Sequence, residues 1–199
     1  MASSRKAVGS CTSNNGVGTV AWLNAEDPLF TTPLVGTEVS TNDDVEAGVS
    51  MAAGVTSEWL LCTMVGNVFA IPTGATINGF KVFYRRNDVD SGLGAAVAST
   101  AIKFVKAGSV VGNDVGSAGA WTESTEEEIE EGGVGELGGQ TWTVAQVNAT
   151  DFGVAISVTL AAGMAGAPPT FGQVIDLVEI EVFYTVPSGF TNVPIMGAG

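Results

Sequence analysis

The sequence contains no histidine. Histidine is the commonest general acid or base near neutral pH and the commonest side-chain ligand for metals such as zinc. Its absence excludes Ser-His-Asp and Cys-His nucleophile systems and every zinc site that needs an imidazole. We therefore expect a protein that is not an enzyme. The alternative that survives is a pair of carboxylates acting alone, as in glycoside hydrolysis, but no two acidic residues here stand in a recognisable motif.

Basic residues are scarce, since 7 Lys and Arg stand against 21 Asp and Glu and give a formal net charge of -14. A protein with such a negative net charge repels the phosphate backbone of nucleic acids and the surface of anionic membranes. We expect neither nucleic acid nor a membrane as a partner. The same charge favours a cation or a basic protein as a partner.

Long apolar runs and cysteines are also few. No segment approaches the ~20 apolar residues of a membrane-spanning helix. No apolar run follows the basic pair Arg5 and Lys6, so we expect no cleaved leader.

Two cysteines, Cys11 and Cys62, do not make a disulfide framework. We expect both as reduced thiols in a protein made in a cytosol, with pairing in an oxidising compartment as the alternative.

Short alternating segments and turn residues are abundant instead. Glycine contributes 27 residues, which suits many tight turns. Apolar residues alternate with polar ones from Ile77 to Arg85, around Ile102, from Phe152 to Val158, and from Val178 to Tyr184. Thr143 is placed to cap a single helical turn that reaches Asn148. Roughly seven to nine short strands with one helical turn predict an all-β protein, an antiparallel, jelly-roll-like β-sandwich.

The ends of the chain differ in composition from its middle. Residues 1–18 are small, polar and rich in glycine, and residues 186–199 contain two prolines and two short apolar clusters. We therefore predict an N-terminal arm at 1–18, one sandwich domain at 19–185, and a C-terminal arm at 186–199.

Two acidic segments are candidates for a cation site. Asp88 and Asp90 precede Gly92 in the manner of a calcium loop, but the middle ligands and the closing glutamate are missing, so turn chemistry explains them equally well. The run from Glu123 to Glu131 does not converge on a point and predicts a solvated loop. We assign no resident metal, no cofactor and no catalytic residue.

Four tryptophans could form a platform for sugar rings, although aromatic residues more often fill the interior of a sandwich. Trp59 stands in an apolar run and is predicted to lie in the core. Trp22 and Trp142 flank turn signals, so each is open to either interpretation.

Phe83 and Phe183 stand on the polar faces of their strands and are predicted to point outward, where they suit a subunit interface. The alternative is that a loop or an arm covers them. If the two strands are neighbours, Lys81 and Arg85 are predicted to oppose Glu179 and Glu181 across the sheet. In the C-terminal arm, the apolar residues Phe190 and Ile195 are the corresponding interface candidates.

The order of several motifs resembles a family of structural proteins of tailed-phage and prophage virions. The motifs are FAIPTGATINGFKVFYRR, IKFVKAG, LGGQTWTVAQVNATDFGVAISV and VIDLVEIEVFYT, and the likeness extends from about Gly18 to Thr185. The chain departs from the family pattern before Gln140, where an aromatic residue is more usual, and in the long glutamate run. The resemblance implies a jelly-roll-like sandwich in a virion and no catalytic residue.

This resemblance implies two functions. The first is a capsid decoration, or cement, protein on the virion surface that binds the major capsid protein or other virion proteins, as a trimer or dimer. The alternative is a tail, baseplate or fibre component that binds a glycan of the host surface. Either protein would be made in the host cytoplasm.

Overall fold

The structure, a computed structural model, describes residues 1–24, 34, 36–41, 45–88, 97–117, 121, 125–161 and 171–188. Within these ranges the chain forms strands and one short helix, which confirms the all-β prediction. In chain order the elements are β1 (Ala2–Ala7), β2 (Ser10–Asn14), β3 (Leu23–Asn24), β4 (Ala47–Met51), β5 (Trp59–Thr63), β6 (Thr76–Asp88), β7 (Val97–Lys106), β8 (Ser109–Val111), β9 (Glu127–Val134), α1 (Val144–Val147), β10 (Gly153–Leu160) and β11 (Phe171–Thr185).

Two antiparallel sheets form the sandwich. The first sheet has the order β3-β4-β11-β6-β9, and β4 and β1 pair with successive halves of β11. The second sheet has the order β2-β5-β10-β7-β8. From β4 to β7 each consecutive strand crosses to the other sheet, and β9, β10 and β11 cross in the same way, as in a jelly roll. The predicted jelly-roll-like sandwich is confirmed.

The core lies between the sheets and is made by every second residue of the long strands. These inward side chains are buried, as the alternation predicts: Phe80, Val82 and Tyr84 on β6, Val154, Ile156 and Val158 on β10, and Val178, Ile180 and Val182 on β11. The ring centroid of Phe80 lies 4.9 Å from that of Phe104 and 5.3 Å from that of Phe152. Trp142 packs edge-on at 5.2 Å from Phe80. These rings join the first sheet to the second.

The helix α1 begins at the predicted cap. The N–H of Gln146 donates to the hydroxyl of Thr143, and the N–H of Thr143 donates to the side-chain oxygen of Gln146 at 3.0 Å, which makes a capping box. Asn148 then exchanges two hydrogen bonds with the backbone of Ile71. No helix in the described ranges is long and apolar enough to cross a membrane.

The prediction of an N-terminal arm is wrong, because residues 2–14 belong to the sandwich. Strand β1 pairs with β11 from Ala2 opposite Tyr184 to Ala7 opposite Glu179. Strand β2 then pairs with β5. Both strands consist mostly of polar residues, and backbone hydrogen bonds pair them with β11 and β5. Residues 186–188 of the predicted C-terminal arm are described, and the rest of the arm, with Phe190 and Ile195, lies outside the described residues.

The prediction of reduced cysteines is also wrong, since Cys11 and Cys62 form a disulfide. The pairing of β2 with β5 places these residues directly opposite each other, with Cα atoms 4.1 Å apart. The N–H of Cys11 points away from β5 and donates to the carbonyl oxygen of Gly36 at 2.7 Å. Both sulfur-bearing side chains are buried. The prediction rested on the small number of cysteines, which does not reveal that the strand pairing brings these two together.

Candidate binding groove

An open groove with a volume of about 510 Å³ lies on the outer face of the second sheet, away from the core. The turn after β2 and the hairpin between β7 and β8 form its sides, and side chains of β5 and β7 form its floor. Its lining residues are Asn14, Gly16, Val17, Trp59, Leu61, Lys103, Gly108, Ser109 and Val110. Ligand sites in proteins commonly enclose ~300–1,000 Å³, so this groove is large enough to hold a small molecule or part of a chain.

The floor follows from the alternation of side chains along β5. Leu60 and Cys62 are fully buried between the sheets. Trp59 and Leu61 therefore point to the opposite side of the sheet. There Trp59 forms a second apolar cluster, separate from the core, with Val105 of β7 and Ala155 of β10. This cluster gives the groove a packed apolar base.

Trp59 is nearly covered, with 6% of its surface exposed. Gly16 lies against the edge of the indole: a Cβ at Gly16 would stand 3.3 Å from Cδ1 and 3.5 Å from Nε1 of Trp59. The turn is held by the Gly16 N–H, which donates to Oδ1 of Asn14 at 3.1 Å. A residue without a side chain thus lets the turn approach Trp59 while the small exposed part of the indole borders the groove.

The indole N–H of Trp59 differs from those of the other tryptophans. Each of the others donates to a neighbouring oxygen at 2.9–3.0 Å: Trp22 to the carbonyl of Glu58, Trp121 to the hydroxyl of Thr100, and Trp142 to the carbonyl of Leu137. The N–H of Trp59 donates to no acceptor among the described residues. The nitrogen is not among the fully buried polar atoms without a partner, so this N–H reaches solvent and is available to a ligand in the groove.

The tryptophans that the sequence suggested as a sugar platform lie elsewhere. Trp22 is 1% exposed and belongs to the core, so it offers no ring face to a ligand. Trp142 packs in the aromatic cluster around Phe80, and the ammonium of Lys106 lies 5.2 Å from its ring centroid. Trp59 was predicted to be a core residue and is buried, in the second apolar cluster. Its place beside the groove was missed, because its neighbours Leu60 and Leu61 are also apolar and hide which face each residue takes.

The outer face of the first sheet carries rows of opposite charge. The prediction that Lys81 opposes an acidic residue is confirmed, since Lys81 lies opposite Glu181 on β11. Arg85 instead forms an ion pair with Glu126 at 2.8 Å, on the side of β9. The glutamate run was predicted to be a solvated loop, which is wrong from residue 127 onward. It forms strand β9 because the basic residues of β6 lie beside it and offset its charge.

Phe83 lies on this charged face and is nevertheless 5% exposed. The guanidinium carbon of Arg5 lies 3.5 Å from the centroid of the Phe83 ring, so the segment predicted as an arm covers it. Phe183 is half-buried on β11. The role of both residues in a subunit interface stays a prediction.

Beneath the charged rows, Tyr84 and Arg86 are buried at the inner side of β6. Burial raises the pKa of Tyr84 from 10.0 to about 12, against the opposing influence of the Arg86 guanidinium. The Nε of Arg86 donates to Glu127 at 2.8 Å. These groups face the packed core and have no access to the groove, so we assign them a structural role.

The calcium candidates cannot be placed together. Asp88 is the last residue of β6, and Asp90 lies outside the described residues. In the described ranges no group of three or more acidic or cysteine side chains converges on a point.

The sequence matches no protein-family model and no curated protein. Solved structures with a similar fold include the CBM22-1 xylan-binding domain of Paenibacillus barcinonensis Xyn10C, at a TM-score of 0.40 and 9% identity over 90% of this chain and 92% of that chain. The CBM22-1-CBM22-2 tandem domain of the same protein is similar at a TM-score of 0.39 and 10% sequence identity. This match covers 92% of this chain and 44% of that chain. The N-terminal cellulose-binding domain of Cellulomonas fimi β-1,4-glucanase C is similar at a TM-score of 0.34 and 12% sequence identity. This match covers 74% of this chain and 82% of that chain. These chains are carbohydrate-binding domains, and the similarity to them concerns the fold alone.

Proposed function

We propose that this chain is a non-catalytic binding protein whose groove on the outer face of the second sheet holds a carbohydrate. The observation that carries the proposal is the indole N–H of Trp59, which borders the groove without an acceptor among the described residues. A hydroxyl oxygen of a sugar would supply that acceptor. Such a bond would replace a contact with water by a directed one inside a shaped site.

The other lining residues suit the mixed surface of a sugar ring. Asn14 and Ser109 contribute an amide and a hydroxyl that can bond ring hydroxyl groups. Leu61 and Val110 contribute apolar surface for the C–H groups of the ring. The groove is open to solvent on one side, so part of a bound saccharide could extend out of it.

The lining favours binding over cleavage. Hydrolysis of a glycosidic bond generally requires two carboxyl groups on either side of the bond. The described residues that line the groove include no Asp or Glu. We therefore propose recognition of the saccharide and no reaction on it.

The test is a panel of immobilised oligosaccharides and polysaccharides, probed with the wild-type chain and two variants. Trp59→Phe removes the free N–H and keeps an aromatic ring in the floor. Trp142→Phe is the matched control, because it removes an indole N–H that already bonds Leu137 outside the groove. We expect the wild type and Trp142→Phe to bind the same saccharide and Trp59→Phe to bind it roughly tenfold more weakly. Binding to no saccharide, or equal binding by all three chains, contradicts the proposal.

We also propose that the protein is a structural component of a virion, either a capsid decoration protein or a tail, baseplate or fibre component. The order of its sequence motifs supports a virion component. The rows of charge on the outer face of the first sheet, beside the half-buried Phe183, would suit contacts with copies of the chain or with a capsid protein. Counting the copies of this chain in cryo-electron micrographs of phage particles tests this proposal. Hundreds of copies over the head would support a decoration protein, and a few copies at the tail would support a tail, baseplate or fibre component. Particles without any copy of the chain would contradict both.

A further inference from the structure

We propose that the saccharide bound in the groove carries a carboxylate, and that Lys103 binds it. This inference rests on the proposed function, because it names the class of sugar for the same site. Lys103 stands on β7, opposite Ala155 of β10, on the face of the sheet that carries Trp59. Its side chain, which carries an ammonium group, is part of the lining of the groove.

Lys103 is the charged residue among the described residues that line the groove. The chain has 7 basic residues, and most of them have partners within the fold. Arg5, Lys81, Arg85 and Arg86 form ion pairs with glutamates, and Lys106 bonds the carbonyl oxygen of Thr141. Lys103 has no ion pair or hydrogen bond with any described residue, and Lys6 shares this property on the edge strand β1.

In a chain with 21 acidic and 7 basic residues, an ammonium without a carboxylate partner is in the minority. The described residues that line the groove include Lys103, the indole of Trp59 and the amide of Asn14, and no acidic residue. Three donor groups without a carboxylate among them form a local site for a negatively charged oxygen. A uronic acid offers a carboxylate and ring hydroxyl groups within one residue, which matches this set.

The net charge also limits how acidic the ligand can be. A densely sulfated or phosphorylated polymer would be repelled by the rest of the molecule. A single carboxylate per sugar residue matches the one cation among the described residues that line the groove, so the inference names uronic-acid oligosaccharides and not polyanions of higher charge.

The test uses oligosaccharides of uronic acids and their methyl esters, which keep the ring and remove the charge. Affinities are measured by calorimetry for the wild type, Lys103→Ala and Lys6→Ala. Lys6→Ala is the matched control, since it removes an unpaired cation outside the groove. We expect the wild type and Lys6→Ala to prefer an acid over its ester by about tenfold or more, and Lys103→Ala to lose that preference while it still binds the ester.

Two outcomes separate this inference from the function on which it rests. If the chain binds neutral saccharides through Trp59 but shows no preference for the acids, or if Lys103→Ala keeps the preference, the inference is overturned and the proposed function stands. If the chain binds no saccharide of either kind, the proposed function fails together with the inference.

Discussion

The guanidinium group of Arg5 lies over the ring of Phe83, with 3.5 Å between its central carbon and the ring centroid. The contact joins the first strand of the chain to the middle of the first sheet. Arg5 also donates from Nε to the carboxylate of Glu179 at 2.8 Å, so one side chain covers an aromatic ring and neutralises an acid. Strand β1 is thereby held by side chains as well as by its backbone pairing with β11.

We predict that Arg5→Ala lowers the free energy of unfolding by about 1 kcal/mol, because it removes the cation and uncovers the ring. Glu179→Gln is the control, since it breaks the ion pair and leaves the guanidinium over Phe83. An exposed ion pair contributes ~0–1 kcal/mol, so we expect the control to lose less. Denaturant unfolding of both variants measures the difference. Equal losses would show that the stacking contributes nothing.

The disulfide between Cys11 and Cys62 closes a stretch of 51 residues. Closing a loop of that length lowers the conformational entropy of the unfolded chain, which stabilises the folded protein by about 4 kcal/mol at most. We predict that the double variant Cys11→Ala, Cys62→Ala unfolds at a lower denaturant concentration and loses roughly 2–4 kcal/mol of stability.

Thiol labelling provides an independent check on the same disulfide. Both cysteines are buried, so we expect a reductant to act on the folded protein slowly and on the unfolded protein readily. Two thiols that react at once in the folded, unreduced protein would contradict the disulfide.

Tyr84 makes stability depend on pH in the alkaline range. Burial raises its pKa from 10.0 to about 12, so between these values the folded chain holds a proton that the unfolded chain releases. Stability therefore falls as pH rises from about 10 to about 12, by a few kcal/mol in total. We predict that Tyr84→Phe flattens this decline, measured by denaturant unfolding across the range. Tyr184→Phe changes the other tyrosine and should retain the decline; an identical slope in all three chains would refute the role of Tyr84.

The fold was predictable where a strand has one buried face. On β6, β10 and β11 the alternation of apolar and polar residues predicts a strand and also predicts which side chains face the core. The pattern is clear because one face of each of these strands packs on the opposite sheet. The cap at Thr143 was equally local, since both of its hydrogen bonds join residues three positions apart. Information of this kind lies within a few consecutive residues.

The missed elements depend on partners far away in the chain. Strand β1 reads ASSRKA and has no apolar face, so only its pairing with β11 makes it a strand. Strand β9 is rich in glutamate and is stabilised beside the basic residues of β6, about 45 positions earlier. The disulfide follows from the pairing of β2 with β5, which the sequence of β2 alone does not reveal.

The groove was missed for a different reason. Both faces of β5 are apolar, so alternation cannot say whether Trp59 or Leu60 faces the core. The turn at Gly16 and the hairpin at Gly108 that border Trp59 come from distant parts of the chain and meet only in the folded sheet.

The central claim is that the groove binds a ligand through the indole of Trp59. Nuclear magnetic resonance measures it directly, because each of the four tryptophans contributes one indole N–H signal. The saccharide found on the panel is titrated into the labelled wild-type chain, and the signals are assigned with the Trp59→Phe and Trp142→Phe variants. We predict that the Trp59 signal shifts progressively while the signals of Trp22, Trp121 and Trp142, which bond within the fold, stay in place. A bound saccharide that leaves the Trp59 signal unmoved would contradict the account.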